Sequence, residues 1–308
     1  MSNMKAIVKQ SAEPDDFVLM QVPIPEISEI EILVRIKAIG VGIHDGYYLP
    51  GDAPWPYTIG IEGAGIIEKK GSNITNFQVG DRIAFVSSMQ LKGGTWAEYA
   101  VVAGSSLIVS IPEEMSFAQA AAIPVAGIAA LKAVNSLQLK KNDSLFIAGA
   151  SGAIGTFVIQ LAVAQGCIVA ASASKINHEY MQSLGATITV DYHDLDWINQ
   201  IKQRMTGGVD AAIAIQPNTA ISSINVVKDG GEIISVSGEQ LTSQRNITIV
   251  PYPHTGDMKG GLIDLMNRVT LGEVKLLIEQ TYGLDKALEV LKKMGTRHAR
   301  GKSVIVVP

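Results

Sequence analysis

The chain has 308 residues, 47% of them hydrophobic and 18% charged, enough to bury a large core and beyond the ~250–300 residues at which one core usually stops growing. Lysine and arginine number 25 against 29 acidic residues, so the net charge of -4 argues against a basic nucleic-acid footprint and against binding to an anionic membrane surface. The single cysteine, Cys167, excludes an internal disulfide, a CxxC redox pair and a multi-cysteine zinc cluster, and a reducing cytoplasm is the expected compartment.

The N-terminal MSNMKAIVKQSAEPDD has no apolar signal-peptide core, and apolar runs such as AQAAAIPVAGIAALKAV carry Pro or Gly and fall short of a membrane span of about 20 residues. From Lys5 to Val109 short β-rich runs (MKAIV, FVLMQV, EILVRIKAIGVG, EGAGIIEKK, DRIAFV, WAEYAVV, SLIVSI) alternate with turn residues, predicting a mostly antiparallel, partly barrel-like β domain. Ser116 is a candidate N-cap before FAQAAAIP, and a second helix is predicted from Pro124 toward Asn135, with Pro at the first helical position where its missing N–H costs nothing. Strands and helices then alternate from SLFIA and AIGTFVIQLAVAQ through IVAAS, NHEYMQSL, ITV, DWINQIKQRM, AAIAI, TAISSINVV and EIISV to ITIV. That alternation predicts a parallel sheet with helices on both faces. Beyond Pro251 come a predicted helix at 257–269, another at 284–294 and a last strand, SVIVV, which together return the tail to the first domain. The expected domains are 1–121 with 254–308, and 122–253.

The strongest chemical signal is SLFIAGASGAIGTFVIQLA, a strand running through Gly149, Ser151, Gly152 and Gly155 directly into a helix. Gly149 suits a tight turn, Gly152 close approach of a pyrophosphate to the backbone, and Gly155 close packing of helix on strand. The N–H groups of Ala153 and Ile154 would meet the diphosphate at the positive end of the helix dipole. The spacing is GxxGxxG rather than GxGxxG, and its strand–turn–helix setting strengthens it. About 20 residues on, where NAD sites place an Asp or Glu for the ribose hydroxyls, stand Ser172, Ala173, Ser174 and Lys175. Two hydroxyls and an ammonium suit a 2′-phosphate, so NADPH is the expected cofactor, with Tyr192 a candidate to pack on the adenine.

These residues carry a wider resemblance. The segments GIEGAGIIEKKGSNITNFQVGDRIAF (60–85), GGTWAEYAVV (93–102), AAAIPVAGIAALKAV (120–134), GASGAIG (149–155), SLGATITVDY (183–192), GVDAAIAI (208–215) and LDKALEVLKKMGTRHARGKSVIVV (284–307) are similar, in order and over nearly the whole chain, to the zinc-free quinone oxidoreductase group of the medium-chain dehydrogenase/reductase superfamily. The resemblance implies a six-stranded Rossmann domain inserted into a split, GroES-like β-rich domain, NADPH in the cleft between them, and a homodimer or homotetramer. In zinc-dependent relatives a cysteine ligand would fall at Gly42 and a histidine at Ile61, neither of which can bind metal. His44, His178, His193, His254, His298 and Glu62 show no ligand spacing, so no metal is expected.

The loop GVGIHDGYYLPG (40–51) has Gly42 where the group usually has Asn, and Ala129 replaces a threonine of the group. Tyr47 is the leading candidate donor to a developing enolate oxygen, with Tyr48 beside it as a substitute, water as an equal alternative for delivering the proton, and His44 as a proton relay; Asp45 reads as a loop-fixing residue. Lys302 and Arg300 read as solvated, with a reach into the cleft as the alternative, and Pro54, Trp55 and Tyr57 as candidates for an apolar wall. Hydride addition to a quinone or to an α,β-unsaturated carbonyl needs only ring orientation and a donor, and is the expected reaction. The alternatives are a non-enzymatic NADPH-binding sensor or interaction protein, and a reductase of enoyl thioesters.

Overall fold

A computed structural model describes residues 2–87, 90–296 and 300–308. The backbone gathers into two compact units, Met1–Val125 with Lys259–Pro308, and Ala126–Met258.

The first unit opens with β1 (Asn3–Lys9), β2 (Phe17–Pro23), β3 (Glu31–Val41), β4 (Tyr57–Thr58), β5 (Glu62–Lys70), β6 (Arg82–Val86), β7 (Tyr99–Ala103) and β8 (Ile108–Ser110), followed by helix α1 (Phe117–Ala121). Strands β2, β1 and β4 make a small antiparallel sheet. The long β3 has an inner face of Ile32, Val34 and Ile36 and pairs with β5 and β7, so it anchors the larger sheet around the buried Trp96 and Phe85. Ser116 caps α1 as the sequence predicts, accepting from Gln119 N–H at 3.2 Å while the Gln119 amide oxygen accepts from Ser116 N–H at 3.0 Å. This reciprocal capping box stabilises a helix too short to persist alone.

The second unit holds a six-stranded sheet in which every neighbouring pair is parallel. After α2 (Pro124–Ser136) come β9 (Ser144–Ala148), α3 (Ala153–Ala164), β10 (Ile168–Ser172), α4 (His178–Ser183), β11 (Ile188–Val190), α5 (Trp197–Arg204), β12 (Val209–Ala214), α6 (Ala220–Ser223), β13 (Val227–Ser235) and β14 (Thr248–Val250). Their spatial order is β11-β10-β9-β12-β13-β14, the 3-2-1-4-5-6 order of a Rossmann sheet. All five residues of β9 are buried, as expected of a central strand covered on both faces, and Trp197 of α5 stacks on Phe146 with ring centroids 5.3 Å apart.

The chain then returns to the first unit through α7 (Lys259–Thr270), β15 (Ile278–Gly283), α8 (Ala287–Gly295) and β16 (Lys302–Val306). β16 pairs antiparallel with β3, completing a sheet in the order β15-β16-β3-β5-β6-β8 with β7 also on β3. Strand β15 has no counterpart in the sequence reading: IEQTYG is half-polar and follows no clean alternation, and it is a strand because β16 offers it a parallel edge. Among the described residues no helix is long and apolar enough to cross a membrane.

Candidate functional site

In the second unit, β9 ends at Ala148 and the chain turns through Gly149 at φ +81°, a conformation that disfavours an L side chain; a Cβ there would also lie 2.6 Å from Gln216 Cγ. A Cβ on Gly155 would lie 2.5 Å from Ala150 Cα and 2.6 Å from the Ala150 and Gly149 carbonyl oxygens, so α3 packs directly on the turn only because that residue is glycine. Gly152 differs: its Cβ would meet nothing nearer than the Gly149 carbonyl oxygen at 3.7 Å, leaving an open cradle above the turn. Gly152 is the N-cap of α3 and brings no side-chain cap, so the N–H groups of Ala153 and Ile154 stand without a capping side chain at the positive helix end. The turn also sits where β10 and β12 flank β9 and the strand order reverses, the position at which open α/β sheets bind ligands. Cradle, glycines and uncapped helix end fit a dinucleotide diphosphate.

The loops after β10 and β11 meet at the same carboxyl edge, because Ser172 pairs with Val190 in register. Ser174 donates its hydroxyl to Tyr192 Oη at 3.2 Å, and Tyr192 is 47% exposed and lies against the His193 ring with centroids 4.1 Å apart. Lys175 is exposed, and its backbone N–H donates to Asp191 Oδ2 at 3.3 Å. Ser172 is buried and its carbonyl accepts from Ala150 N–H at 3.1 Å, tying β10 to the glycine turn. Ser151 Oγ accepts from Asn177 Nδ2 at 3.4 Å.

Two residues of this cluster escaped the sequence reading: Asn177 and Asp191. The stretch 172–175 indeed carries no acid, yet the neighbourhood has one, supplied by the adjacent strand. The missed signal was the Asp-Tyr pair closing the third strand. Hydrogen bonds from the His193 backbone and ring hold the Asp191 carboxyl below the usual range, keeping it ionised.

In the first unit the loop after β3 is built on a buried carboxylate. Asp45, 1% exposed, accepts from Gly42 N–H at 2.7 Å and from Trp96 Nε1–H at 3.2 Å through Oδ2. Burial pushes its pKa up to about 7, against the pull of the Gly42 hydrogen bond and of Lys302. Lys302 corrects the expectation of a solvated side chain: it is buried in an ion pair with Glu62, whose other oxygen accepts from Val125 N–H at 2.7 Å. Arg300 is exposed, and His298 lies outside the described residues.

Above this floor the loop brings Tyr47 and His44 together, with Tyr47 Oη 2.7 Å from His44 Nδ1 and the rings edge to face. The loop turns back on itself, Tyr47 and Tyr48 both donating their N–H to the His44 carbonyl, and both tyrosines are more than half exposed. Tyr57 is not a wall residue but part of the core: it is 4% exposed, donates its hydroxyl to the Gln90 carbonyl at 2.6 Å, and burial pushes its pKa up to about 12. Trp55 is exposed.

Gly42 and Ile61 supply no metal donor, and among the described residues no three His, Cys, Asp or Glu side chains gather where they could hold an ion. His178 faces the Ala173 carbonyl, His193 pairs with Asp191 and His254 lies against Tyr252. Among the described residues there is thus no ligand set of the kind a catalytic zinc requires.

A Rossmann sheet with this glycine turn, carried within a chain whose two ends share one mostly antiparallel β unit, is the architecture of two-domain dehydrogenases and reductases. Residues 28–113 match the model of the alcohol dehydrogenase GroES-like domain, and residues 153–257 that of the zinc-binding dehydrogenase family. The chain is 28% identical over 306 residues to a quinone oxidoreductase of Sus scrofa, covering 93% of this chain and 91% of the relative. It is 27% identical over 297 residues to a chloroplastic NADPH-dependent alkenal/one oxidoreductase of Arabidopsis thaliana, covering 92% and 73%. It is 27% identical to a synaptic vesicle membrane protein VAT-1 homolog of Danio rerio, of whose length it spans 65%. Among solved structures, the quinone oxidoreductase from Coxiella burnetii superposes with a TM-score of 0.89 at 26% identity, covering 100% of both chains. The chain belongs to the medium-chain dehydrogenase/reductase superfamily and, within it, to the quinone oxidoreductase group. It is therefore an oxidoreductase that works with a nicotinamide cofactor on a small molecule.

Proposed function

We propose that the protein is an NADPH-dependent, zinc-independent reductase of quinones or α,β-unsaturated carbonyls. The observation that carries the cofactor choice is the cluster of Ser174, Lys175 and Tyr192 at the carboxyl edge of β10 and β11, beside the open cradle of Gly152. Two hydroxyls and an exposed ammonium hold a 2′-phosphate through charge-assisted hydrogen bonds. Gly149, Gly152 and Gly155 shape the turn, Ser151 lines it, and the N–H groups of Ala153 and Ile154 bind the diphosphate. Ser172, being buried, holds the turn to β10 rather than touching phosphate. The relatives named for quinone and for alkenal or enone reduction support the acceptor class.

When bound, reduced nicotinamide supplies a hydride to the ring or β-carbon of the acceptor. The protein's own contribution is the proton and the charge. With its proton on Nδ1, His44 donates to Tyr47 Oη and leaves the tyrosine's own hydrogen available to the acceptor oxygen, where negative charge develops. Asp45 holds this loop in place from below through Gly42 N–H and Trp96. The protein acts as a homodimer or homotetramer in the cytoplasm.

The test is oxidation of NADPH, with NADH in parallel, by purified protein against a simple quinone, an enal and an enone, with a chelator in one arm. Turnover that favours NADPH and ignores the chelator supports the reading. Tight NADPH binding with no turnover on any acceptor overturns the acceptor class, and loss of activity with chelator overturns zinc independence.

A further inference from the structure

We propose that Asp191 sets the coenzyme ratio of this protein, tempering the preference for a 2′-phosphorylated dinucleotide that Ser174, Lys175 and Tyr192 create; this rests on the cofactor reading above. Dinucleotide folds place a ribose-binding carboxylate at the end of the second strand, and here that stretch reads Ser-Ala-Ser-Lys. The pairing of Ser172 with Val190 puts the residue after β11 beside the loop after β10, and that residue is Asp191. Its Oδ2 accepts from the Lys175 N–H at 3.3 Å, so the carboxylate faces the segment in which the acid is missing.

The charges around it are unequal partners. The Asp191 side chain is 27% exposed and ionised, with Oδ1 accepting from the His193 N–H at 3.0 Å and lying 2.8 Å from His193 Nδ1. Ser174 and Tyr192, hydroxyl to hydroxyl at 3.2 Å, and the exposed Lys175 belong to the same two loops. A ribose 2′-hydroxyl can donate to a carboxylate, whereas a 2′-phosphate can only be repelled by it. The same edge thus holds acceptors for NADH and donors for NADPH. His193 turns the carboxylate and covers part of its charge, so it acts in the direction opposite to Asp191.

The experiment measures dissociation constants of NADPH and NADH, without acceptor, from the fluorescence of the reduced nicotinamide on the full-length protein. D191N removes the charge and keeps an amide oxygen. It is expected to shift the affinity ratio toward NADPH by roughly tenfold, by tightening NADPH and weakening NADH. H193Q, which uncovers the carboxylate, is expected to shift it toward NADH. A D191N ratio that is unchanged or moves toward NADH overturns the proposal. A wild-type protein that prefers NADH refutes the cofactor reading alone; in that case a D191N shift toward NADPH still upholds the role of Asp191, and an unshifted ratio still overturns it.

Discussion

Replacing Asp45 with asparagine separates the charge of a buried carboxyl from its shape. Asp45 is 1% exposed, and burial raises its pKa from 3.8 to about 7, with the Glu62 charge adding to the shift. The hydrogen bonds from Gly42 and Trp96 and the Lys302 charge pull downward but do not win. A carboxyl whose pKa rises on folding binds its proton more tightly in the native state. Its contribution to stability is therefore fully present below pH 3.8, the unfolded value, and is lost as pH climbs toward about 7. The gap corresponds to ~4 kcal/mol once the group is fully ionised. In D45N the amide oxygen can still accept from Gly42 N–H, while the amide hydrogens enter a buried site at a cost of ~1–2 kcal/mol. D45N is thus expected to gain ~2 kcal/mol over the wild type at pH 8 and to be slightly less stable at pH 4.5. The assay is urea unfolding followed by tryptophan fluorescence across that range, taking the difference between the two proteins so that other carboxyls cancel. A difference that does not change with pH, or a D45N protein that is the less stable at pH 8, refutes the reasoning.

Other substitutions divide cleanly between binding and stability. G152A meets nothing nearer than 3.7 Å, so its thermal midpoint should match the wild type while NADPH affinity falls by about tenfold or more, read by fluorescence titration. G155A, by contrast, drives a methyl group to 2.5 Å from Ala150 Cα and should cost about 1–3 kcal/mol in chemical denaturation. K302M leaves Glu62 buried without its cation and should cost about 3–5 kcal/mol, and adding E62Q should return part of that loss; equal stability of K302M and wild type contradicts the buried pair. Y47F should lower kcat for enone reduction by roughly tenfold to a hundredfold and leave the NADPH dissociation constant unchanged, because it removes only the proton donor.

The elements with a strong local signature were legible in the chain itself. SLFIA followed by the three glycines specifies strand, turn and helix because each glycine answers a steric need within a few residues of its own position, and the Ser116 cap, the alternating βα series and the Tyr47 and His44 loop are equally local. The family resemblance then supplied the order of assembly. Tertiary structure alone decided what depends on neighbours distant in sequence. It buried Lys302 against Glu62, 240 residues away, where the RHARGK segment by itself favoured a solvated cation. It made a strand of IEQTYG by giving it the edge of β16, and it sank Tyr57 into the core. Above all it set the end of β11 beside the end of β10, so that an acid absent from the expected stretch returns as Asp191 on the next strand. Charge, burial and hydrogen bonding act through space, and the sequence determines them only after the sheet has chosen which strand ends lie side by side.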